Sequence, residues 1–139
     1  MFIRCFFFRK ISPMEISDWS IQRIDHVAIN VSDMAKARAF YGGILKLKEV
    51  PRPKSFDFAG AWYRIGTVDL HLISRNEVDA LSRRHFAFWL SDVHAAAKSI
   101  ESAGVSVTWD TYKIDGIDRF FVRDPDGNRL EFQGDELAK

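Results

Sequence analysis

Apolar and polar residues alternate along several short segments of the chain, and one such segment recurs at a fixed interval. HVAINVSD begins at His26, and the similar HFAFWLSD begins 59 residues later at His85. Alternation with a period of two predicts a β-strand that has one face in the core. Each segment ends in Ser-Asp, a good helix N-cap pair, and apolar residues at helical spacing follow it. The pattern predicts two copies of one supersecondary unit.

The rest of each copy predicts three further strands. These strands are expected at 46–50, 61–65 and 68–73 in the first copy and at 105–109, 119–123 and 128–133 in the second. Gly42 and Gly104 fall where each helix should end in a left-handed C-cap. The sequence Asp124-Pro-Asp-Gly127 suits a type I turn between antiparallel strands. The expected fold class is α+β, with two βαβββ modules forming a cupped mixed sheet. Module one spans 21–75, module two 83–135, and a linker 75–82.

Polar residues occupy equivalent positions on the face opposite the helix-packing row. His26 and His85 begin the first strand of each module, and His71 and Glu131 lie between apolar residues in the last strands, 60 residues apart. Alternation places all four on the open faces of the sheets. A single strand histidine is more often a hydrogen-bonded core or surface residue. The joint spacing across two repeats instead favours a site where the four side chains converge.

Three imidazole nitrogens and a carboxylate oxygen are suitable ligands for a divalent ion. A metal would also let polar groups occupy a sheet cup without an unpaired-burial penalty. We expect one divalent metal ion per site, with Zn, Ni, Co, Mn or Fe as candidates, bound by His26, His71, His85 and Glu131. The fourth histidine, His94, is expected in the first turn of a helix and solvated.

The chain resembles the vicinal oxygen chelate superfamily, the glyoxalase, bleomycin resistance protein and extradiol dioxygenase group. The segments that carry the resemblance are IDHVAINVSDMAKARAFYGGILKL, VDLHLI, RRHFAFWLSDVHAAAKSIESAGV and FFVRDPDGNRLEF, within about residues 21–135. The resemblance implies paired βαβββ modules around a central metal, bound through the first and last strands of each module. It also implies that the site often forms between modules of different chains.

The chain departs from the residue pattern of each subfamily, so the resemblance does not identify the reaction. Fosfomycin thiol transferases usually carry Ser and Tyr near the positions of Arg119 and Phe121, and epimerases usually have Gln at the position of His71. Glyoxalase I commonly has Glu or Gln there. Extradiol dioxygenases use two His and one Glu in a chain that is typically longer, and bleomycin-type binders generally lack the ligand set.

The favoured function is a metal-dependent lyase or isomerase of glyoxalase type. It would act on a small carbonyl or acyl substrate through a metal-stabilised enediolate. Glu131 is the expected catalytic residue, both ligand and proton acceptor, because it is the only carboxylate of the four. The alternatives are an Fe(II) extradiol-type dioxygenase and a small-molecule binding or resistance protein.

The repeat offset also predicts which side chains line the pocket. Expected substrate-binding residues are Trp62, Arg64, Trp89, Arg119 and Phe121. Aromatic walls with guanidinium groups suit a planar or acyl substrate that bears a carboxylate. Arginines at strand ends are equally well explained as solvated. The connection 51–58 is either a lid over the metal or an irregular solvated loop.

Composition limits the classes of partner. The 20 basic and 19 acidic residues leave a net charge of +1, so the composition shows no excess of positive charge that would favour binding to nucleic acid or an anionic membrane. The single cysteine, Cys5, excludes an internal disulfide. Residues 1–20 are read as an N-terminal extension, with a targeting or docking arm as the alternative, in a cytoplasmic protein. Exposed sheet edges and the 12 phenylalanines favour an isologous homodimer.

Overall fold

The computed structural model describes residues 21–76 and 81–134. The expected extension 1–20, and with it Cys5, lies outside the described residues, as does part of the linker 75–82. The described chain contains two four-stranded mixed sheets. No helix among the described residues is long and apolar enough to cross a membrane.

The first module follows the predicted βαβββ order. Its elements are β1 (His26–Val31), α1 (Met34–Arg38) continued by a π-helical turn (Ala39–Ile44), β2 (Lys48–Val50), β3 (Gly60–Ile65) and β4 (Val68–Ser74). The strands lie in the order β1-β4-β3-β2. β1 is parallel to β4, and the other neighbouring strands are antiparallel.

The second module repeats this arrangement. Its elements are β5 (His85–Leu90), α2 (Val93–Ser102), β6 (Thr108–Trp109), β7 (Asp118–Arg123) and β8 (Arg129–Gly134). The strand order is β5-β8-β7-β6, with β5 parallel to β8. The predicted α+β fold class with two βαβββ modules is therefore confirmed.

Both helices begin as the sequence predicts. The side chain of Asp33 accepts a hydrogen bond from the Lys36 backbone N–H at 3.0 Å, and Asp92 accepts from Ala95 at 2.9 Å. Gly104 has the expected left-handed conformation, with φ of +85°. The predicted cap at Gly42 is wrong, because Gly42 lies inside the π-helical turn.

The π-helical turn explains two deviations in the first module. The turn contains the adjacent residues Phe40 and Tyr41, and both of their rings are buried. The left-handed residue is Lys46 instead, with φ of +57°. Because a strand cannot include that conformation, β2 begins at Lys48 and not at residue 46.

β6 is also shorter than predicted. Residues 105–107 do not join the sheet, because the Val105 backbone N–H donates to Ile100 O at the end of α2. Val105 and Val107 pack against the core instead. Only Thr108 and Trp109 pair with β7.

Each sheet has one buried face and one open face. The row that packs under the helices includes Val31, Leu70 and Leu130, each at most 1% exposed. The opposite row carries His26, His71, His85 and Glu131, as the alternation predicts. Here "open face" means the face of either sheet that bears these residues.

The turn after β7 joins the two modules. Gly127 N donates to Asp124 O at 3.0 Å, which closes the predicted type I turn. The buried Asp124 carboxylate also accepts from Tyr41 Oη of the first module at 2.7 Å. Burial, together with this carboxylate, raises the pKa of Tyr41. Across the same junction, Asn128 Nδ2 donates to Asn30 O at 3.0 Å.

Candidate metal centre

A pair of stacked histidines forms the centre of the open face of module one. The rings of His26 and His71 stack with centroids 4.4 Å apart and an interplanar angle of 15°. His71 lies opposite Ala28 in the β1–β4 register, where a methyl side chain leaves room above the sheet. On its other side, Trp62 stacks on His71 at 3.9 Å.

The ring nitrogens of this pair are of the type that binds a metal, but imidazole lone pairs lie in the ring plane, so the two nearly parallel rings must turn before both can bind one ion. His26 Nδ1 lies 3.1 Å from Asp25 Oδ2, so the carboxylate favours a proton on Nδ1 and leaves Nε2 available. A carboxylate behind a histidine is the usual outer partner of a metal ligand. Burial and the neighbouring His26 lower the pKa of His71. A lowered pKa favours the neutral imidazole, the form that binds a metal.

A histidine and a carboxylate occupy the equivalent place in module two. His85 Nε2 lies 2.7 Å from Glu131 Oε2. Glu131 lies opposite Ala87, as His71 lies opposite Ala28. His85 Nδ1 lies 2.8 Å from the carbonyl oxygen of Arg83, which can only accept a hydrogen bond. The Nδ1 proton is therefore fixed, and Nε2 faces Glu131.

Arg119 holds the other oxygen of the Glu131 carboxylate. Its Nη1 lies 3.4 Å from Glu131 Oε1, and its Nη2 lies 2.8 Å from Asp110 Oδ2. Asp110 in turn accepts from the backbone N–H of Tyr112, which lowers the pKa of Asp110. Arg119 therefore links two carboxylates, and its guanidinium is already neutralised within the chain.

The two pairs do not merge within one chain. Over residues 21–76 and 81–134, no group of three or more His, Cys, Asp or Glu side chains could hold a metal ion. The four sequence-predicted ligands are instead brought together two by two, His26 with His71 and His85 with Glu131. A site that uses all four needs the open faces of two modules to meet.

The predicted substrate-binding residues have different surroundings. Trp62 stacks on His71, and Phe121 meets His85 edge to face at 5.7 Å. Trp89 lies on the open face of β5 and is 58% exposed. Arg64 donates to the Asp69 carboxylate on the neighbouring strand, so its charge is paired as well.

The connection 51–58 packs on the open face beside Trp62. The guanidinium of Arg52 lies 4.9 Å from the ring of Phe56 and 4.7 Å from that of Phe58. Phe56 meets Trp62 edge to face at 5.9 Å. Most residues of the segment are exposed, as in an irregular solvated loop, while Phe56 lies at Trp62, where a lid would lie.

His94 lies in the first turn of α2 with an exposed side chain, as expected. It is 45% exposed, but its Nε2 lies 3.1 Å from Asp118 Oδ2. Its ring stacks on Trp109 at a centroid distance of 4.8 Å. The start of α2 lies against β6 and β7, which the helix N-cap alone could not reveal.

Comparison with known proteins identifies the family to which the chain belongs. The model of the Glyoxalase/Bleomycin resistance protein/Dioxygenase superfamily matches residues 23–132. The chain belongs to this superfamily.

The superfamily relatives include proteins of different activity. "Glyoxylase I 4" of Arabidopsis thaliana is 25% identical over 118 residues, which cover 78% of this chain and 68% of that protein. A structure assigned to the glyoxalase family, from Bacillus anthracis, is 30% identical with a TM-score of 0.79, covering 86% of this chain and all of the other.

A more distant superfamily structure contains a metal. It is a variant of the fosfomycin resistance protein FosX from Listeria monocytogenes, complexed with Mn(II) and dihydroxypropylphosphonic acid. It is 18% identical with a TM-score of 0.74, covering 85% of this chain and 95% of that chain. At this identity the likeness shows the shared fold.

Three residues that touch the candidate centre were not predicted from the sequence. They are Asp25 behind His26, Asp110 behind Arg119, and Arg129, whose guanidinium carbon lies 3.8 Å from the Phe121 ring centroid. Asp25 directly precedes His26, so adjacency could have identified it. Arg129 lies two residues before Glu131 in β8, so alternation could have placed it on the same face. Asp110 reaches the site only through its contact with Arg119, of which the local sequence carries no sign.

Proposed function

We propose that this superfamily member is a metal-dependent lyase or isomerase of the glyoxalase type, acting on a small carbonyl or acyl compound. The observation that carries the proposal is the pair of donor groups at equivalent positions of two repeated modules, His26 with His71 and His85 with Glu131. The name of the Arabidopsis relative and the Mn(II) in the FosX complex support it.

The chemistry of the donors fits a divalent ion. His26 and His85 each have a hydrogen-bond acceptor at Nδ1, so Nε2 is the nitrogen that would bind a metal; in His85 it would first part from Glu131 Oε2, which lies 2.7 Å away. Three imidazoles and one carboxylate suit Zn, Ni, Co, Mn or Fe. A bound ion of this kind would act as a Lewis acid toward a substrate carbonyl oxygen.

The chain's own residues would bind the substrate and move its proton. Glu131 is the carboxylate of the donor set. Arg119 holds its Oε1, and its Oε2, which lies against His85, would accept a proton from an acidic C–H once that contact opens. Trp62 and Phe121 offer flat walls on the two open faces. In this proposal the 51–58 segment excludes water from one side.

The site would be completed by a second copy of the chain. Each open face carries only two of the four donors, and within the described residues the pairs stay separate. A twofold dimer that places module one of one chain against module two of the other would create two equivalent four-ligand sites. The proposed assembly is therefore an isologous homodimer.

Metal binding is expected to depend on the four proposed ligands. His85→Ala should weaken binding of Ni²⁺ or Zn²⁺ by more than about 100-fold, because even losing an outer partner of a ligand costs about 10- to 100-fold. Elemental analysis and equilibrium dialysis of protein purified without a His-tag measure this. His94→Ala is the matched control, because His94 is in the same module but contacts Asp118 and Trp109 instead of the proposed ligands. This variant should keep its metal. Full metal occupancy in His85→Ala would contradict the ligand set.

Mixing two defective chains tests whether the site forms between copies. His26→Ala damages module one, and Glu131→Ala damages module two. In a heterodimer of the two, one cross-chain site has both defects and the other has none, so about half of the wild-type metal content should return. Heterodimers are isolated through two different affinity tags, neither of them a His-tag. Metal content no higher than in either homodimer would show that the site lies within one chain.

Turnover distinguishes the proposed reaction from the alternatives. We expect the metal-loaded protein to convert a dicarbonyl–thiol adduct into a 2-hydroxy thioester, followed by the gain in ultraviolet absorbance as the thioester forms. Oxygen consumption with a catechol would instead indicate an Fe(II) dioxygenase. Tight binding of such compounds without turnover would indicate a binding or resistance protein.

A further inference from the structure

The arginines on the open faces differ in what their charges contact. Arg64 is paired with Asp69, and Arg119 with both Asp110 and Glu131. Arg123 donates to two backbone carbonyls, at 2.7 and 3.2 Å. Arg129 forms no ion pair with a carboxylate of the described residues, and its one hydrogen bond is a 3.4 Å contact with Arg83 O. Of this set, Arg129 is the cation that remains free to take an anion.

Arg129 also lies next to the proposed metal ligands. It stands opposite His85 in the β5–β8 register, two residues before Glu131 on the same face of β8. Its guanidinium carbon lies 3.8 Å from the centroid of the Phe121 ring, and Phe121 is edge-on to His85. Stacking on a ring uses the flat face of a guanidinium and leaves its in-plane N–H groups able to bind a carboxylate.

Two cavities reach this side chain. One, of about 760 Å³, is also lined by His85 and Asn128. The other, of about 1160 Å³, is also lined by Phe121 and Thr108. Either is large enough for a small organic anion at Arg129, and only the first also reaches His85; Glu131, two residues along β8, lines neither.

We propose that Arg129 is the substrate-carboxylate anchor of this site and that the substrate class is small 2-oxo or 2-hydroxy acids. The inference rests on the proposed function, because it assumes that the reacting carbon lies near Glu131. A carboxylate held at Arg129 would leave the neighbouring carbonyl or hydroxyl group to lie beside His85 and Glu131. Arg64 and Arg119, the guanidinium groups expected from sequence to bind a carboxylate, are already paired and so are positioning groups.

The experiment compares two probes of equal size. Pyruvate carries a carboxylate beside its carbonyl, and 2,3-butanedione replaces that carboxylate with a neutral acetyl group. Binding is measured by NMR titration of the full-length protein, with Zn²⁺ and again after chelation. Arg129→Gln should weaken pyruvate binding about 10- to 100-fold and leave butanedione unchanged, since a charge-assisted contact is removed. Arg129→Lys, which keeps the charge but not the planar fork, should fall between.

Lys98→Gln is the matched control, because it removes one positive charge from the exposed surface of α2. It should bind both probes as the wild type does. Circular dichroism verifies that each variant is folded. Equal pyruvate affinity in Arg129→Gln and Lys98→Gln, or no pyruvate binding to the wild type up to about 10 mM, would overturn the anchor.

The outcomes separate the two proposals. If the protein binds no metal and turns over no carbonyl compound, but Arg129→Gln still loses pyruvate selectively, the proposed function fails and the anion site stands. If metal and turnover are present and Arg129→Gln binds pyruvate normally, the function stands and the anchor is rejected.

Discussion

Replacing Glu131 with Gln is expected to remove most catalytic turnover while the protein keeps much of its metal. Gln preserves the length of the side chain and an oxygen that can ligate, but it cannot accept a proton at neutral pH. A positioned general base contributes about 10²- to 10⁴-fold to rate. The kcat for a dicarbonyl–thiol adduct should therefore fall by this factor, measured beside the metal content of the same sample.

Two comparisons make this result specific. Arg119→Lys perturbs the group that holds Glu131 Oε1 without removing the carboxylate, so its loss in kcat should be smaller. Near-full activity in a metal-loaded Glu131→Gln protein would place the base elsewhere. Asp69, two residues before His71 on the same strand face and paired with Arg64, would then be the next candidate.

The second large effect concerns stability, and it arises at the turn that joins the modules. Asp124→Ala is expected to lower the free energy of unfolding by at least about 3 kcal/mol, because one buried and three half-buried donors lose their acceptor, and a buried donor left without one costs about 1–3 kcal/mol. The donors are Tyr41 Oη, the backbone N–H groups of Asp126 and Asn128, and the Asn128 amide, all at 2.7 to 2.9 Å. Urea unfolding followed by circular dichroism measures the change.

Matched variants separate the buried network from the loss of a charge. Tyr41→Phe removes one donor and leaves Asp124 with the others, so it should cost about 1 kcal/mol. Asp57→Ala removes a carboxylate from the exposed 51–58 segment and should change stability by less than about 0.5 kcal/mol. A cost for Asp124→Ala as small as for Asp57→Ala would mean that the turn does not hold the modules together.

The same turn shows how one short motif has both a local and a long-range role. Pro125 and Gly127 satisfy the local geometry, and any sequence of this type predicts a turn. The side chains of Asp124 and Asn128 reach instead to Tyr41 and to Asn30 O, both in module one. Such contacts between residues more than 80 positions apart cannot be inferred from the turn itself.

Much of the fold could be predicted because the signals are local. Alternation assigned His26, His71, His85 and Glu131 to the open faces, and the Ser-Asp pairs marked both helix starts. Both properties depend on residues that are close together in the sequence. Their recurrence in the two modules therefore made them recognisable. The π-helical turn was missed. It contains Phe40 and Tyr41, whose burial is a property of the packed core.

The sequence by itself determined the two βαβββ modules and the strand face on which each donor lies, since a period of two settles both. Only the tertiary structure decided which groups touch: the stacking of His26 on His71, the contact of His85 with Glu131, and the pairing of Arg64 and Arg119 with carboxylates. It also left Arg129 over Phe121 without an acidic partner among the described residues. Alternation fixes the side of a sheet, whereas contacts across strands depend on register and side-chain rotamer, and these are set when the whole sheet packs.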